Sequence, residues 1–231
     1  MSAVSDPVLE LRHAVCRAGE GAVPRGISLS FPPASFHLLI GEPGSGRNAL
    51  LRMLGLLESP AAGEVLFEGH PTATLTERER GEICSERCGF LFAAPFLLQA
   101  FSVIENVAMP LFKISHVNLE QARERSERLL DFVGLKGSAQ QAASGLTPFQ
   151  QHAVALARAL ANEPALITAE SLETALPPEE IARFTGLLRK ASVRFGVTVI
   201  ASASNDFPSE PADRVIAIAA GGIVRDSLPT L

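Results

Sequence analysis

The 231-residue sequence contains no tryptophan, no tyrosine and only three cysteines. Cys16, Cys84 and Cys88 are odd in number and form no C-x-x-C pair, so neither a disulfide framework nor a zinc site is indicated. This cysteine usage favours a reducing, cytosolic environment. No apolar run approaches the roughly 18 residues that cross a bilayer, and no basic stretch precedes an apolar one near the start, so neither a membrane span nor a signal peptide is predicted.

Positive charge is also scarce, with a net charge of −5. A nucleic-acid-binding domain needs a basic face, so this class of partner is excluded. Hydrophobic residues make up 47% and charged residues 19% of the chain, which is typical of an ordered globular protein. The mean hydropathy of +0.22 fits buried parallel strands, and it is equally compatible with an apolar docking surface for a membrane protein.

Short apolar runs alternate with helical patterns, which predicts an α/β fold with a largely parallel sheet. A strand over Phe36–Ile40 leads into a glycine-rich loop, and a helix is predicted from Asn48 to Leu57. Three further runs predict a small β layer: Val8–Leu11, Ile27–Phe31 and Gly63–Gly69.

The loop has the glycine frame of a phosphate-binding loop, in which backbone N–H groups form an anion site at a helix N-terminus. The lysine and the hydroxyl residue that normally end this motif are replaced by Arg47 and Asn48. The predicted nucleotide-binding residues are Gly41, Glu42, Pro43, Gly44, Ser45, Gly46, Arg47, Asn48 and Ala49.

The second half of the chain begins with a charged helical stretch, about 103–161, that indicates an inserted lobe. A core strand is predicted over Ala165–Thr168, and an amphipathic helix opens at Pro177-Pro178 and is capped by Gly196. A strand over Val197–Ala201 and a terminal hairpin around Gly221-Gly222 complete the pattern.

Three stretches together resemble the ATP-binding subunits of ABC transporters, most of all the lipoprotein-release, macrolide-export and cell-division type. They are Ile27–Gly69 with GEPGSGR, Gly89–Leu111 with GFLFAAPFLL, and Leu146–Pro164 with LTPFQQHAVALARAL. The resemblance implies a P-loop NTPase fold: one ABC-type nucleotide-binding domain over 1–231, with a parallel-sheet core, a small antiparallel β layer and a helical lobe at about 94–163. It also implies ATP and Mg²⁺ as cofactors.

The sequence departs from the family pattern at the positions where the family binds phosphate and metal. The family's lysine falls on Arg47, whose planar fork is expected to crowd the β- and γ-phosphates. The Mg²⁺-binding hydroxyl falls on Asn48, the glutamine that contacts Mg²⁺ and the attacking water on Ala93, and the Walker B aspartate on Glu170. A weak Mg²⁺ site at Asn48 and Glu170 remains the expectation.

The catalytic positions depart further. The general-base glutamate falls on Ser171, the switch histidine on Ser204, and the D-loop aspartate on Pro177. The aromatic residue that would stack on adenine falls near Ala18.

The family's signature motif falls on Leu146, Thr147, Pro148, Phe149 and Gln150. Pro148 has no N–H to donate, and Phe149 adds bulk where glycines let the backbone approach phosphate. Two alternatives stay open: Phe149 is a core residue, or the signature is Ala143-Ser144-Gly145 in a shifted alignment.

These departures predict a pseudo-ATPase that keeps the fold and weak nucleotide affinity while supporting a membrane permease structurally or by regulation. A slow but active transport ATPase and a nucleotide-free scaffold are the alternatives.

The expected partners are an integral-membrane permease and a second ATP-binding subunit, in a homodimer or heterodimer, on the cytoplasmic face of the plasma membrane. The expected docking surface is Phe92–Phe101, and the alternative for its apolar run is the core of the lobe.

Overall fold

The computed structural model describes residues 6–17, 23–114 and 117–227. These residues form ten strands and seven α-helices. The strands are β1 (Leu9–Val15), β2 (Ile27–Phe31), β3 (Phe36–Ile40), β4 (Ala62–Phe67), β5 (His70–Pro71), β6 (Cys88–Leu91), β7 (Leu166–Ala169), β8 (Thr198–Ala203), β9 (Arg214–Ala219) and β10 (Gly222–Ser227). The helices are α1 (Arg47–Leu54), α2 (Glu77–Arg87), α3 (Val103–Lys113), α4 (Leu119–Phe132), α5 (Pro148–Leu160), α6 (Leu172–Ala175) and α7 (Pro178–Phe195).

The larger of the two described sheets has the strand order β10-β9-β3-β8-β7-β6. Its strands β9, β3, β8, β7 and β6 are parallel, and β10 pairs antiparallel with β9. Because β3, β8 and β7 are adjacent and parallel, the segments that follow them leave the sheet at the same edge. Ligands of open α/β sheets bind at this carboxyl edge.

Strand β3 is buried on both faces, and its alternate residues enter different cores. Leu38 packs in the cluster that includes the lobe helices α3–α5 and α7. Leu39 packs in a second cluster with α1 and the four-stranded sheet. A continuous apolar run is the expected sequence of such a central parallel strand.

The smaller sheet is antiparallel, with the order β2-β1-β4-β5. Its central strand β1 pairs Leu9 with Phe31 on one side and with Phe67 on the other. The antiparallel β layer and the parallel-sheet core predicted from the sequence are therefore confirmed.

Helices α3, α4 and α5 lie within the range predicted for the helical lobe. Each begins with a capping box, built on Ser102, Asn118 and Thr147 respectively, in which the cap side chain and the third helical residue exchange hydrogen bonds. The Arg158 guanidinium donates to the carbonyls of Pro95 and Phe96, which ties the segment before α3 to α5.

The element boundaries differ from the predictions in a few places. Strands β2 and β3 have the predicted bounds, and Gly196 ends α7 in the left-handed conformation as expected. The helix after the loop ends at Leu54 rather than Leu57, because the chain turns at Gly55 and continues through Leu56 with a positive φ.

The three cysteines are free thiols. Cys16 and Cys88 are buried, Cys84 is half-buried, and burial raises the pKa of Cys16 to about 12. No group of three or more metal-ligating side chains occurs in residues 6–17, 23–114 and 117–227. Within the same ranges, no helix has both the length and the apolar character that a bilayer crossing requires.

The pH dependence of stability should include a contribution from His37, which lies in β3 and is 2% exposed. Its Nε2 lies 2.7 Å from Ser35 Oγ, and its Nδ1 is buried without a partner among the described residues. Burial, followed by the charge of Arg214, lowers the pKa of His37 to about 4. An unfolded histidine titrates near 6.5, so the unfolded state binds the extra proton between these values.

We therefore expect the free energy of unfolding to fall as pH decreases from about 6.5 to about 4, by up to about 3 kcal/mol from this group. Urea unfolding across this range should show a flatter profile for His37→Gln, and His70→Gln, in the exposed strand β5, should keep the parent's slope. Parallel profiles for the parent and His37→Gln would contradict the assignment.

Candidate functional site

The glycine loop connects β3 to α1 at the carboxyl edge of the parallel sheet. Gly44 and Gly46 adopt φ values of +82° and +97°, which glycine reaches without a steric penalty. Gly46 is the N-cap of α1, and its carbonyl accepts the first helical hydrogen bond, from Leu50 N at 2.9 Å. The loop therefore has the conformation that its glycine frame predicts.

Neighbouring strands hold the loop from behind. Gly41 N donates to the Ala203 carbonyl at the end of β8 (3.2 Å), and Gly221 N donates to the Ser45 carbonyl (3.0 Å). Gly41 has no room for a side chain, because a Cβ there would lie 2.6 Å from the Ile218 carbonyl oxygen. The loop is consequently held against the ends of β8 and β9 and the turn between β9 and β10.

A cleft of about 590 Å³ opens in front of the loop and the first turn of α1. The backbone N–H groups at the start of a helix favour an anion at such a place. The lining residues are Pro43, Gly44, Gly46, Arg47, Asn48, Ala49, Arg52, Ser171, Glu173 and Thr174. Six of the nine predicted loop residues thus line the cleft, and Gly41, Glu42 and Ser45 support them from behind.

The Arg47 side chain is only 6% exposed, although it lines the cleft. Its Nη1 donates to the Gly41 carbonyl, and its Nη2 donates to the carboxylate of Glu173, whose side chain is 21% exposed. The predicted broad guanidinium fork is therefore committed to partners within the chain.

Glu173 was not among the residues predicted from the sequence. It lies in α6, 126 positions from Arg47, and the resemblance gives no role to its position. The signal for this pair in the sequence is weak. It consists of one additional carboxylate three residues after Glu170 and an arginine in place of the family's lysine. Neither change alone indicates that the two side chains meet.

Asn48 belongs to a hydrogen-bond network between three segments. Its Oδ1 accepts from Ser202 Oγ at 3.0 Å, and its Nδ2 donates to Ser171 Oγ at 3.3 Å. Ser202 Oγ in turn accepts from Ser171 N at 2.9 Å. The amide oxygen that was expected to face Mg²⁺ is thus occupied by a hydroxyl of β8.

The two expected Mg²⁺ ligands are not brought together in the cleft. Asn48 lines it, whereas Glu170 is not among its lining residues, and the Glu170 backbone N–H donates to Leu91 O at 2.8 Å. Ala93, at the position of the family's metal-contacting glutamine, carries no polar side-chain atom. Asn48 and Glu170 therefore do not both line this cleft, and a weak Mg²⁺ site at these two residues stays a prediction.

Ser171 and Ser204, which align with two catalytic positions of the family, follow β7 and β8 at the same sheet edge. Ser171 follows Glu170 with a φ of +50° and contacts the cleft, where its hydroxyl cannot accept a proton at neutral pH. Ser204 Oγ donates to Asp206 at 2.6 Å, and this bond lowers the pKa of Asp206. Pro177 is the N-cap of α7. Ala18 lies outside the described residues.

The signature positions form the start of α5 and do not line the cleft. Thr147 is the N-cap, and its side chain accepts from Gln150 N while Gln150 Oε1 accepts from Thr147 N. The backbone of Pro148 occupies the first helical position. The Leu146 side chain is buried.

Phe149 is 4% exposed, packs edge-on against Phe184 and lies beneath the Arg183 guanidinium, 4.0 Å from the ring centre. The structure therefore supports the alternative in which Phe149 is a core residue. The expectation that its side chain adds bulk at the signature surface is wrong, because the ring turns inward between α5 and α7.

Ala93 and the signature are joined by His152. The two ring nitrogens of His152 lie 3.0 Å from the Pro148 carbonyl oxygen and 3.2 Å from the Ala93 carbonyl oxygen. The segment after β6 is thereby attached to the first turn of α5.

A strand, a glycine loop and a helix at the carboxyl edge of a parallel sheet define the class of phosphate-loop nucleotide-binding domains. The sequence profile of the ABC transporter family matches residues 24–170. The chain belongs to the ABC transporter family and is of the ATP-binding subunit type, as the resemblance predicted.

Curated relatives extend this assignment over nearly the whole chain. The lipoprotein-releasing system ATP-binding protein LolD of Hyphomonas neptunium is 34% identical over 94% of this chain and 97% of its own length. The LolD 2 protein of Caulobacter vibrioides is 36% identical over the same shares of the two chains.

Solved structures agree with the fold. The ATP-binding cassette MJ0796, in a dimer bound to ADP and phosphate, has a TM-score of 0.80 and 27% identity, covering 95% of this chain and 98% of its own. CbiO1 of Clostridium perfringens has a TM-score of 0.88 and 20% identity, covering 97% of this chain and 90% of its own. The predicted ABC-type fold is confirmed.

Replacing Gly41 tests the close contact behind the loop. Gly41→Ala should lower the free energy of unfolding by about 1–3 kcal/mol, because the added methyl group forces the loop away from β9. The measurement is urea unfolding followed by circular dichroism. Gly81→Ala in α2 is the matched control, since no atom lies within 4 Å of its Cβ position, and it should be neutral or stabilising. Equal effects of the two substitutions would contradict the contact.

Proposed function

We propose that this chain is a catalytically impaired ATP-binding subunit of an ABC transporter, a pseudo-ATPase that supports a membrane permease structurally or by regulation. The observation that carries the proposal is the cleft's lack of a free proton acceptor in the described structure. Ser171 occupies the general-base position, and the cleft's carboxylate, Glu173, is bound by Arg47. Removing a positioned acid or base typically costs about 10²–10⁴-fold in rate.

Weak nucleotide affinity is part of the proposal. The loop backbone has the shape that binds phosphate, and the cleft before it is open. The loop residues Gly44, Gly46 and Asn48 would hold phosphate oxygens. ATP is the expected nucleotide because the family binds ATP, and MJ0796 was solved with ADP and phosphate.

A second ATP-binding subunit is the proposed soluble partner. MJ0796 is a dimer, and the family's head-to-tail pairing places each nucleotide between one chain's loop and the other's signature. A homodimer would then contain two impaired sites. A heterodimer with an intact relative would contain one altered loop and one altered signature, so both sites would be affected.

The proposed permease-docking surface is the segment Phe92–Phe101, on the cytoplasmic side of the membrane. Phe96 is 66% exposed, and Phe92, Leu98 and Phe101 are about two-fifths exposed. Leu97 is buried and belongs to the core of the lobe. Most of this apolar run is thus available to a partner, which supports a docking role. The relative MacB of Syntrophobacter fumaroxidans is described as an ATP-binding/permease protein.

Phosphate release from ATP tests the pseudo-ATPase directly. The purified chain, alone and with its permease in vesicles, should release phosphate no faster than the Arg47→Ala variant, because no positioned base activates water. The assay is steady-state phosphate release with Mg²⁺ present. Turnover above the Arg47→Ala background would establish the slow transport ATPase instead.

Nucleotide titration separates the proposal from a nucleotide-free scaffold. A fluorescent ATP analogue should show weak but saturable binding to the parent protein. A strictly linear signal across the titration, with no saturation, would favour the scaffold.

The docking surface is tested with Phe96→Ser. This substitution should reduce co-purification with a co-expressed permease, because it removes the most exposed aromatic side chain of the segment. Val224→Ser on β10 is the matched control, since Val224 is 65% exposed at a distant edge strand. Equal recovery of permease with both variants would exclude Phe96 from the interface.

A further inference from the structure

The anion-binding cleft already contains an anion. The Glu173 carboxylate lines the cleft together with Gly44, Gly46 and Asn48, and it accepts a hydrogen bond from Arg47. A phosphate group bound at the loop would carry the same sign of charge and use the same cation. The carboxylate and a bound phosphate therefore compete for Arg47.

The geometry of Arg47 supports this competition. One terminal nitrogen donates to the Gly41 carbonyl and the other to Glu173, so both terminal nitrogens of the guanidinium are hydrogen-bonded within the chain. The side chain is nearly inaccessible to solvent, which makes the charge costly to leave without a partner. Glu173 supplies that partner.

The hydrogen-bonding capacity of the Glu173 carboxylate is only partly used. Its Oε2 is buried and has no hydrogen-bond partner within the described chain. Buried acceptors are nearly always hydrogen-bonded, so the contact of Oε1 with Arg47 is the side-chain hydrogen bond that holds this carboxylate among the described residues. Arg52, the other cation of the lining, is paired with Glu58 and does not compensate it.

We propose that Glu173 is a built-in competitor of phosphate, and that its ion pair with Arg47 sets the affinity of the loop for nucleoside di- and triphosphates. This inference rests on the proposed function, because it concerns the same nucleotide site. The ion pair neutralises the charge of Arg47, and nucleotide binds only after the carboxylate is displaced from Arg47.

The test is a titration with mant-ATP and Mg²⁺, read by fluorescence anisotropy. Glu173→Gln removes the competing charge, and its dissociation constant should fall at least about tenfold, since like charges brought together are strongly unfavourable. Glu68→Gln is the matched control: Glu68 also pairs with an arginine, Arg87, but does not line the cleft. It should bind as the parent does.

A second pair of variants covers the case in which Glu173→Gln does not fold, since it strands a buried arginine. Arg47→Lys places the charge on a flexible stem that reaches solvent more easily. Arg47→Lys should bind weakly while Glu173 is present, and Arg47→Lys/Glu173→Gln should bind about tenfold more tightly or better. Equal dissociation constants with and without Glu173, in either background, would overturn the proposal.

These outcomes are independent of the pseudo-ATPase assignment. An unchanged affinity on removing Glu173 refutes the competitor and leaves the phosphate-release assay to decide hydrolysis. Conversely, measurable hydrolysis by the parent refutes the pseudo-ATPase, while the affinity ratio between the Glu173 variants still tests the competitor.

Discussion

The pairing of β3 with both β8 and β9 is the constraint on which the rest of the structure depends. This strand has parallel neighbours on each side and a different hydrophobic core on each face. Its end fixes where the glycine loop starts, and Gly41 is held against Ala203 and Ile218 with no space for a methyl group. The loop is therefore positioned by the sheet, independently of which side chains follow it.

This independence explains how the fold persists while the chemistry changes. The backbone of the loop, the N-terminus of α1 and the sheet edge need glycines and apolar strands, which the chain retains. Two of the positions that the resemblance assigns to phosphate and metal binding form contacts within the chain: Asn48 with Ser202, and Arg47 with Glu173. The family relation accounts for the scaffold, and the internal contacts account for the proposed loss of activity.

The sequence predicted the central strands well because their signal is local. Phe36–Ile40 is apolar except for His37 and stands before a glycine loop, and its observed bounds are the predicted ones. Helix α2 was not predicted, since none of its residues is buried and it therefore shows no apolar period. Strand β6 was also not predicted. It is only four residues long and follows α2 directly, so no turn residue marks where the helix ends and the strand begins.

The site was predicted as a set of positions but not as a set of contacts. The inward turn of Phe149 could not be read from a motif, because it depends on Phe184 and Arg183 in a helix distant in sequence. The Arg47–Glu173 pair joins residues 126 positions apart, and no periodicity or motif links them. Long-range pairing of charges is visible only once the sheet has brought the two segments to one edge.

The Arg47–Glu173 pair also has an evolutionary consequence. Breaking a buried ion pair by losing one partner typically costs about 3–5 kcal/mol, a large share of the roughly 5–15 kcal/mol that keeps a domain folded. A lineage that carries Arg47 thus cannot readily drift away from Glu173, whatever the cleft is used for. Selection for a folded domain would then keep the two residues together, independently of any selection on nucleotide binding.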